Sequence, residues 1–324
     1  MSYQPIKVFA PTNIALLKYW GKVDKELNTA THPSISITLD HYGSETEVCF
    51  RSDLEKDQLI LNGKDIPHFP KVSKVLNALR SFKNSSLRAH IRSTNNFPTA
   101  AGLASSASGL ASVTYAASLA LELDLSAIEL AEISKQGSGS SCRSFLGGFV
   151  QWHDKEDPKV SQILSPDQWP LDVYLLLVSR DGKKTSSTQA MIDCQQTSVF
   201  FKEWVRKSWE LYPLFREVIE RRDFKKLGDL SEKHCLLMHK TILASHPPIV
   251  YWSDQTLEYL RLVRGWQREG LEVFFTIDAG ANVVLVCEKN SSVQLQSKLE
   301  SLQADFLKTC IGTGPMVKWG QVVC

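Results

Sequence analysis

The chain has 324 residues, 43% of them apolar and 22% charged, with a formal net charge of +2 at neutral pH. These values fit a soluble, globular, two-domain chain with ample length to bury a core. They exclude nucleic-acid binding driven by bulk charge, and leave a local basic pocket open.

Seven cysteines with no Cys-x-x-Cys pair read as reduced thiols, which points to the cytoplasm. No charged segment followed by an apolar stretch opens the chain, so no signal peptide is expected. The longest apolar segments, such as 173–178, fall far short of the ~20 residues of a membrane span. No lipidation box stands at either end. Neither a membrane nor a nucleic acid is therefore an expected partner.

Residues 6–10 alternate and read as a strand. Ala10-Pro-Thr-Asn-Ile-Ala-Leu-Leu-Lys-Tyr-Trp-Gly-Lys22 then mixes apolar and cationic residues before a polar loop at 23–31. Lys18 and Lys22 around Tyr19 suit a phosphate-binding wall; a surface strand with solvated lysines is the alternative. The β-branched, period-two stretch 34–39 predicts a half-buried strand. Segments 45–50 and 58–61 look like further strands, and Asn62-Gly63 like a hairpin turn. Apolar spacing at Val72, Val75, Leu76 and Leu79 predicts a helix over 70–80, and 87–93 returns as a strand. The first half is thus a sheet with helices on one side.

Pro98-Thr-Ala-Ala-Gly-Leu-Ala-Ser-Ser106 follows that strand and opens an apolar run, 107–121. A loop of small residues feeding a helix start exposes unpaired N–H groups at the positive end of the helix dipole, which suits a phosphate chain. Gly102 lets backbone approach a ligand closely. Ser105 and Ser106 could cap the helix or bind a phosphate or its Mg²⁺. An ordinary N-capped helix after a tight loop is the alternative. No Gly-Lys-Ser/Thr closes the loop, so it is not a Walker A sequence.

The run 107–121 is apolar nearly all round, as a buried helix would be. Ser126 and Glu129 form a capping box that opens a helix to about Gln136. Gly137-Ser-Gly-Ser-Ser-Cys-Arg-Ser144 lies between that helix and a strand at 147–152. It reads as an anion-binding turn with Arg143 as its charged member, in preference to a linker. Segment 152–169 is a hairpin or loop excursion, 173–179 a buried strand, and the polar 180–187 the domain boundary. From 186 to 241 the pattern is helical, with breaks at Pro213 and Asp223. A further helix covers 254–269. Strands at 272–277 and 283–287 flank Asp278-Ala-Gly-Ala-Asn282. A helix over 291–307 and a last strand at 308–311 follow. The second half is α+β, helices on a small antiparallel sheet. His234 and His239 are five apart and do not share a helix face as a zinc pair would. His32, His68, His90 and His246 lack Cys or His partners at ligand spacing. The expected metal is Mg²⁺ arriving with a nucleotide.

Taken together, the segments 10–22, 95–106, 137–144, Lys183-Lys-Thr-Ser-Ser-Thr-Gln189 and 278–282 resemble the diphosphomevalonate decarboxylases. These are a branch of the GHMP kinases, whose phosphate loop reads P-x-x-x-G-L-x-S-S. Lys-Tyr-Trp-Gly-Lys and Gly-Ser-Gly-Ser-x-Cys-Arg-Ser are the specific segments, because generic GHMP kinases lack them. The resemblance spans nearly the whole chain. It implies an α+β, two-domain GHMP kinase fold: an N-terminal mixed α/β domain (1–183), a C-terminal helical α/β domain with a small antiparallel sheet (184–324), and the active site in the cleft between them. It also implies a homodimer.

The implied reaction uses ATP and Mg²⁺ to phosphorylate the 3-hydroxyl of mevalonate 5-diphosphate. Loss of that phosphate and of CO₂ gives isopentenyl diphosphate. The resemblance makes Asp278 the base, with Lys18 beside it, and Arg143 the holder of the C1 carboxylate. Tyr19, Trp20, Gly21, Lys22, Lys71, Ser138, Gly139, Ser140, Ser141, Cys142 and Thr188 would contact the substrate. Pro98, Ala101, Gly102, Leu103, Ala104, Ser105 and Ser106 would carry the ATP phosphates, with Ser106 near the metal. These roles suit the chemistry. A carboxylate can orient a tertiary hydroxyl and take its proton as the O–P bond forms. A lysine beside it favours the ionised carboxylate. An arginine fork fixes a carboxylate in a plane. The alternatives are a turn residue at a strand end for Asp278 and a surface ion pair for Arg143. Thr31-His32-Pro33-Ser34 departs from the family's more usual Thr-Asn-Ser-Ser. Ser141 stands where alanine is common, and Ala281 where proline is. Three other readings stay open: a relative that stops after phosphorylation, one that takes the monophosphate, and a non-catalytic nucleotide-binding protein.

Overall fold

The computed structural model describes residues 4–24, 28–97, 105–152, 160–179 and 185–318. In chain order its strands and helices are β1 (Ile6–Leu17), β2 (Lys22–Asp24), β3 (Thr29–Ala30), β4 (Ser34–Arg51), β5 (Gln58–Leu61), β6 (Lys64–Asp65), α1 (Pro70–Ser81), β7 (Arg88–Asn95), α2 (Ser105–Ala120) and α3 (Ala127–Lys135). A 3₁₀ helix (Gly139–Phe145) precedes β8 (Phe149–Trp152), β9 (Val160–Leu164) and β10 (Leu171–Leu176). Then come α4 (Ser187–Thr197), α5 (Phe201–Glu220), α6 (Phe224–Leu243), α7 (Asp254–Arg268), β11 (Val273–Thr276), β12 (Val283–Glu288), α8 (Lys289–Ser301), β13 (Phe306–Cys310) and β14 (Met316–Val317).

Two sheets organise the chain. The first runs β14-β1-β4-β7-β5-β6, with β8 and β9 added alongside β4; the second runs β11-β12-β10-β13 and is antiparallel throughout. One face of the first sheet packs Val8, Val48, Phe50 and Ile91 against Leu76 and Leu79 of α1 and Leu110 and Val113 of α2. Its other face carries Ile14, Leu16, Ile35 and Ile37 into one core with Val173, Leu175, Phe274 and Val284 of the second sheet and Phe215 of α5. The alternation over 34–39 thus faces a second domain and not solvent. The far face of the second sheet is covered by Val263 and Trp266 of α7 and Leu295 and Leu299 of α8.

Several local readings hold at the level of single bonds. Ser126 and Glu129 make both halves of the capping box that starts α3. Asp223 caps α6 by accepting from the Lys226 N–H at 3.1 Å. Asn62 and Gly63 take positive φ between β5 and β6, as their hairpin requires.

Other expectations are corrected. β1 does not end near residue 10 but runs to Leu17. The strands expected at 34–39 and 45–50 are one strand, β4, whose pairing with β1 jumps from Thr38↔Asn13 to Gly43↔Pro11. Pro213 does not break α5, because buried Phe201, Trp204, Phe215, Val218 and Ile219 keep one stripe packed along its length. α8 stops at Ser301, and β13 begins at Phe306. β10 lies before the division expected at 183/184, yet it hydrogen-bonds with β12 and β13 of the second sheet. We propose that the two domains divide within 165–170, ahead of β10.

Ile37 is fully buried where the two sheets share a core. Ile37→Ala is expected to cost about 2–5 kcal/mol and to lower the midpoint of a single unfolding transition seen by both fluorescence and far-UV circular dichroism. A loss below about 1 kcal/mol would contradict the shared core.

Candidate active site

β1 ends at Leu17, and the next five residues, Lys18 to Lys22, carry the first candidate side chains. Lys18 is 1% exposed, and its Nζ meets Asp278 Oδ1 at 2.5 Å; the Asp278 side chain is 25% exposed. Asp278 follows β11, so the pair joins the end of a first-sheet strand to a second-sheet loop. The Lys18 backbone N–H, beyond the last strand residue, donates to His234 Nδ1 at 3.0 Å.

Arg143, in the 3₁₀ helix, is 2% exposed, which rules out the surface ion pair. Its Nε donates to Ser36 Oγ at 3.0 Å, Nη1 to Ser34 Oγ at 2.6 Å and Nη2 to Asn13 Oδ1 at 3.3 Å. Burial lowers its pKa, while Cys142, Asp278 and Tyr19 push it back up. Asp278 therefore lies within electrostatic reach of both Lys18 and Arg143. Among the described residues no carboxylate makes an ion pair with Arg143, so its buried charge rests on neutral acceptors. Such a charge favours an anionic ligand strongly.

Tyr19 packs on Trp152 with ring centroids 5.1 Å apart, and its hydroxyl lies over Gly139. A Cβ at Gly139 would sit 2.6 Å from that hydroxyl, so only glycine admits the ring. Gly21 takes φ +116°, where a side chain would also strike Phe201 and Thr31. Ser138 and Ser140 are half-buried, with their hydroxyls 3.3 Å apart. Lys22 donates to Asn28 Oδ1 at 2.5 Å. Burial lowers the Lys22 pKa, and the charges of Lys71 and Lys74 lower it further. Lys71 and Lys74 thus act on Lys22 through their charges, as lysines around an anion site would. Thr188 sits half-buried in the first turn of α4.

Three of the expected contact residues turn their side chains into the protein. Trp20 is 2% exposed and packs among Ala190, Met191, Cys194, Trp204 and Met238, so it supports the loop from beneath. Ser141 Oγ donates to Ser138 O at 2.7 Å and accepts from Ser134 Oγ at 2.6 Å. Cys142 is fully buried, and its thiol donates to Gly139 O at 3.1 Å. The Ser141 and Cys142 side chains shape the 3₁₀ helix.

Pro98, Ala101, Gly102, Leu103 and Ala104 lie outside the described residues. Ser105 and Ser106 open α2, with Ser106 exposed and no acidic residue in the first turn. Backbone N–H groups at this helix start, with two hydroxyls, fit a polyphosphate. The Ser106 hydroxyl is a hard oxygen donor of the kind Mg²⁺ takes beside phosphate oxygens and waters. No group of three or more His, Cys, Asp or Glu able to hold a metal occurs among the described residues.

Asn13, Ser34, Ser36, Lys74 and His234 were missed from sequence. Asn13 lies in the quoted Ala-Pro-Thr-Asn-Ile-Ala segment, and Lys74 is one helical turn beyond Lys71, so those two had a signal. His32 is no ligand: its ring nitrogens face Pro33 O at 2.9 Å and Trp20 O at 3.3 Å.

Residues 10–163 match the family model of the diphosphomevalonate decarboxylase-like N-terminal domain, and residues 173–317 that of the mevalonate 5-diphosphate decarboxylase C-terminal domain. Diphosphomevalonate decarboxylase of Candida albicans is 38% identical over 90% of this chain and 86% of its own length. The chain belongs to the diphosphomevalonate decarboxylase family. Among solved members of that family, MDDEF in complex with MVAPP, AMPPCP and magnesium superposes with a TM-score of 0.91 at 35% identity, covering 98% of this chain and 99% of that one. The Staphylococcus aureus mevalonate diphosphate decarboxylase gives 0.91 at 34% identity with the same coverage. The fold is the two-domain fold of the GHMP kinases. No helix among the described residues is long and apolar enough to cross a membrane.

Burial lowers the imidazole pKa to about 4 at His32 and about 3 at His239, and well below its ordinary value at His234. The unfolded chain protonates these rings near ~6.5, so it binds more protons than the native state as pH falls below that value. Stability from this source is complete above about pH 6.5 and declines on acidification, by up to ~1.4 kcal/mol per pH unit for each ring. The urea midpoint is expected to fall steadily from pH 6.5 to pH 5, ahead of carboxylate titration; a flat midpoint there would contradict neutral burial.

Proposed function

We infer that this protein carries out the ATP-dependent decarboxylation of (R)-5-diphosphomevalonate to isopentenyl diphosphate, with release of ADP, phosphate and CO₂, in the mevalonate route to isoprenoids. The observation that carries the reading is the Lys18–Asp278 pair at 2.5 Å beside a buried, carboxylate-seeking Arg143. The MVAPP, AMPPCP and magnesium of the solved relative support mevalonate diphosphate, ATP and Mg²⁺ as this chain's ligands. The described cysteines are thiols and not disulfides, which supports a cytoplasmic setting.

In this reading Arg143 holds the substrate C1 carboxylate in a plane fixed by Ser34, Ser36 and Asn13. Lys22, Lys71 and Lys74 attract the diphosphate, with Ser138 and Ser140 as hydroxyl donors. Asp278 orients the 3-hydroxyl and takes its proton at a carboxylate oxygen, while Lys18 holds the other side of that carboxylate in place. When bound, the nucleotide with its cation supplies the phosphoryl group that makes the 3-oxygen a leaving group. Ser105, Ser106 and the α2 N-terminus hold the phosphates. Because Arg143 fixes the carboxylate plane, the C–C bond to be broken can lie parallel to the orbital emptied at C3. Charge positioning by these groups, without covalent catalysis, is what phosphoryl transfer needs.

Purified enzyme given mevalonate 5-diphosphate and ATP is expected to release CO₂ in equal amount to ADP. Asp278→Asn should lower kcat by about 10²–10⁴-fold with the fold intact. ADP formation without CO₂ would replace this reading by a 3-kinase. Parent-like turnover of the variant would remove Asp278 as the base.

A further inference from the structure

Helix α6 holds the main chain on both sides of the Lys18–Asp278 pair. On one side, His234 Nδ1 accepts the Lys18 backbone N–H at 3.0 Å. An accepting Nδ1 places the ring proton on Nε2, which donates to Ser208 Oγ at 3.0 Å. Ser208 in turn donates to Trp204 O at 2.8 Å. On the other side, Cys235 Sγ accepts from the Ile277 N–H at 3.2 Å and its thiol donates to Ile277 O at 3.5 Å. His239 Nε2, one turn along, meets the same carbonyl at 3.3 Å. Ile277 immediately precedes Asp278.

The two charged residues are 260 positions apart in sequence and belong to different sheets. No local turn can therefore set their separation. β1 stops pairing at Leu17, so the Lys18 N–H is the first donor beyond the ladder and would be a buried orphan without His234. The His234 ring is fully buried and lies 4.3 Å from the Trp204 ring and 6.2 Å from Phe215, which leaves it little freedom to turn. Its bond to Lys18 is thus a fixed strut between α6 and the first sheet.

We propose that His234 is a positioning residue for the reaction inferred above: it fixes the Lys18 main chain on α6, the same helix that grips Ile277, the residue before Asp278, through Cys235 and His239, and so sets the ammonium–carboxylate separation. His234 is fully buried and acts through Lys18. The proposal rests on Lys18 and Asp278 having the roles given under the proposed function. A displacement of about 1 Å between reacting groups can cost about 100-fold in rate, so a loose strut should show in kcat and leave binding almost unchanged.

The test compares full-length His234→Leu, His234→Asn and Ser208→Ala with the parent and with Leu227→Ala, a core control on α6 that is fully buried and outside the site. His234→Leu removes the acceptor. His234→Asn keeps an oxygen near the Nδ1 position. Ser208→Ala releases the far side of the ring. His234→Leu is expected to lose about 30- to 100-fold in kcat, with both KM values within about threefold of the parent. His234→Asn should regain at least about tenfold of that loss, and Ser208→Ala should lose about 3- to 10-fold in kcat. Leu227→Ala, at a comparable or larger drop in Tm, should keep kcat within about twofold. Parent-like kcat in His234→Leu, or equal loss in the Leu and Asn variants, would overturn the proposal. Should His234→Leu fail to fold, a parent-like kcat in Ser208→Ala overturns it instead. A parent enzyme that makes no CO₂ speaks against the proposed function; an active parent with unaffected variants speaks against His234 alone.

Discussion

A buried lysine with one carboxylate partner is the constraint on which the rest of this structure depends. Lys18 is almost wholly removed from water and lies 2.5 Å from Asp278. Leaving an ammonium buried without that partner would cost several kcal/mol. The two domains must therefore dock in the one register that brings the end of β1 to the loop after β11. The shared core of Ile14, Leu16, Ile35 and Ile37 with Val173, Leu175 and Val284 supplies the apolar area for that docking, and the ion pair selects among the ways of using it.

Arg143 obeys the same physics with the opposite solution. Its guanidinium is buried against two serine hydroxyls and an amide oxygen, with Asp278 within electrostatic reach. Neutral acceptors fix the plane of the fork without cancelling its charge, so a carboxylate entering the site meets a donor set already oriented. The helix that carries Arg143 is held by its own serines and thiol, which explains why Ser141 and Cys142 face inward. Tyr19 closes over Gly139 and joins this turn to the Lys18 loop.

The charged centre was legible because its members sit in short linear motifs. Lys18, Arg143 and Asp278 were each named from local residue types and from one resemblance. Their supports were not legible, because a hydroxyl on a strand looks like any other strand residue. Ser34 and Ser36 lie 109 and 107 positions from Arg143, and His234 lies 216 from Lys18. Period-two alternation found the first part of β4, over 34–39, but could not say that the strand runs on to Arg51 or that a second domain covers one of its faces. Polar composition drew the boundary to 180–187, whereas β10, before it, pairs with β12 and β13 of the second sheet. Pro213 shows the same limit from another side: a local breaker yields when the helix around it is packed on both flanks.

A double-mutant cycle over Lys18→Met and Asp278→Asn, read in kcat/KM, tests the cross-domain pair most directly. If the two side chains act as one unit, the second substitution should add little to the first, giving a coupling of about 1–3 kcal/mol. Losses that simply add, with coupling below about 0.5 kcal/mol, would mean that the contact between them contributes nothing to the reaction.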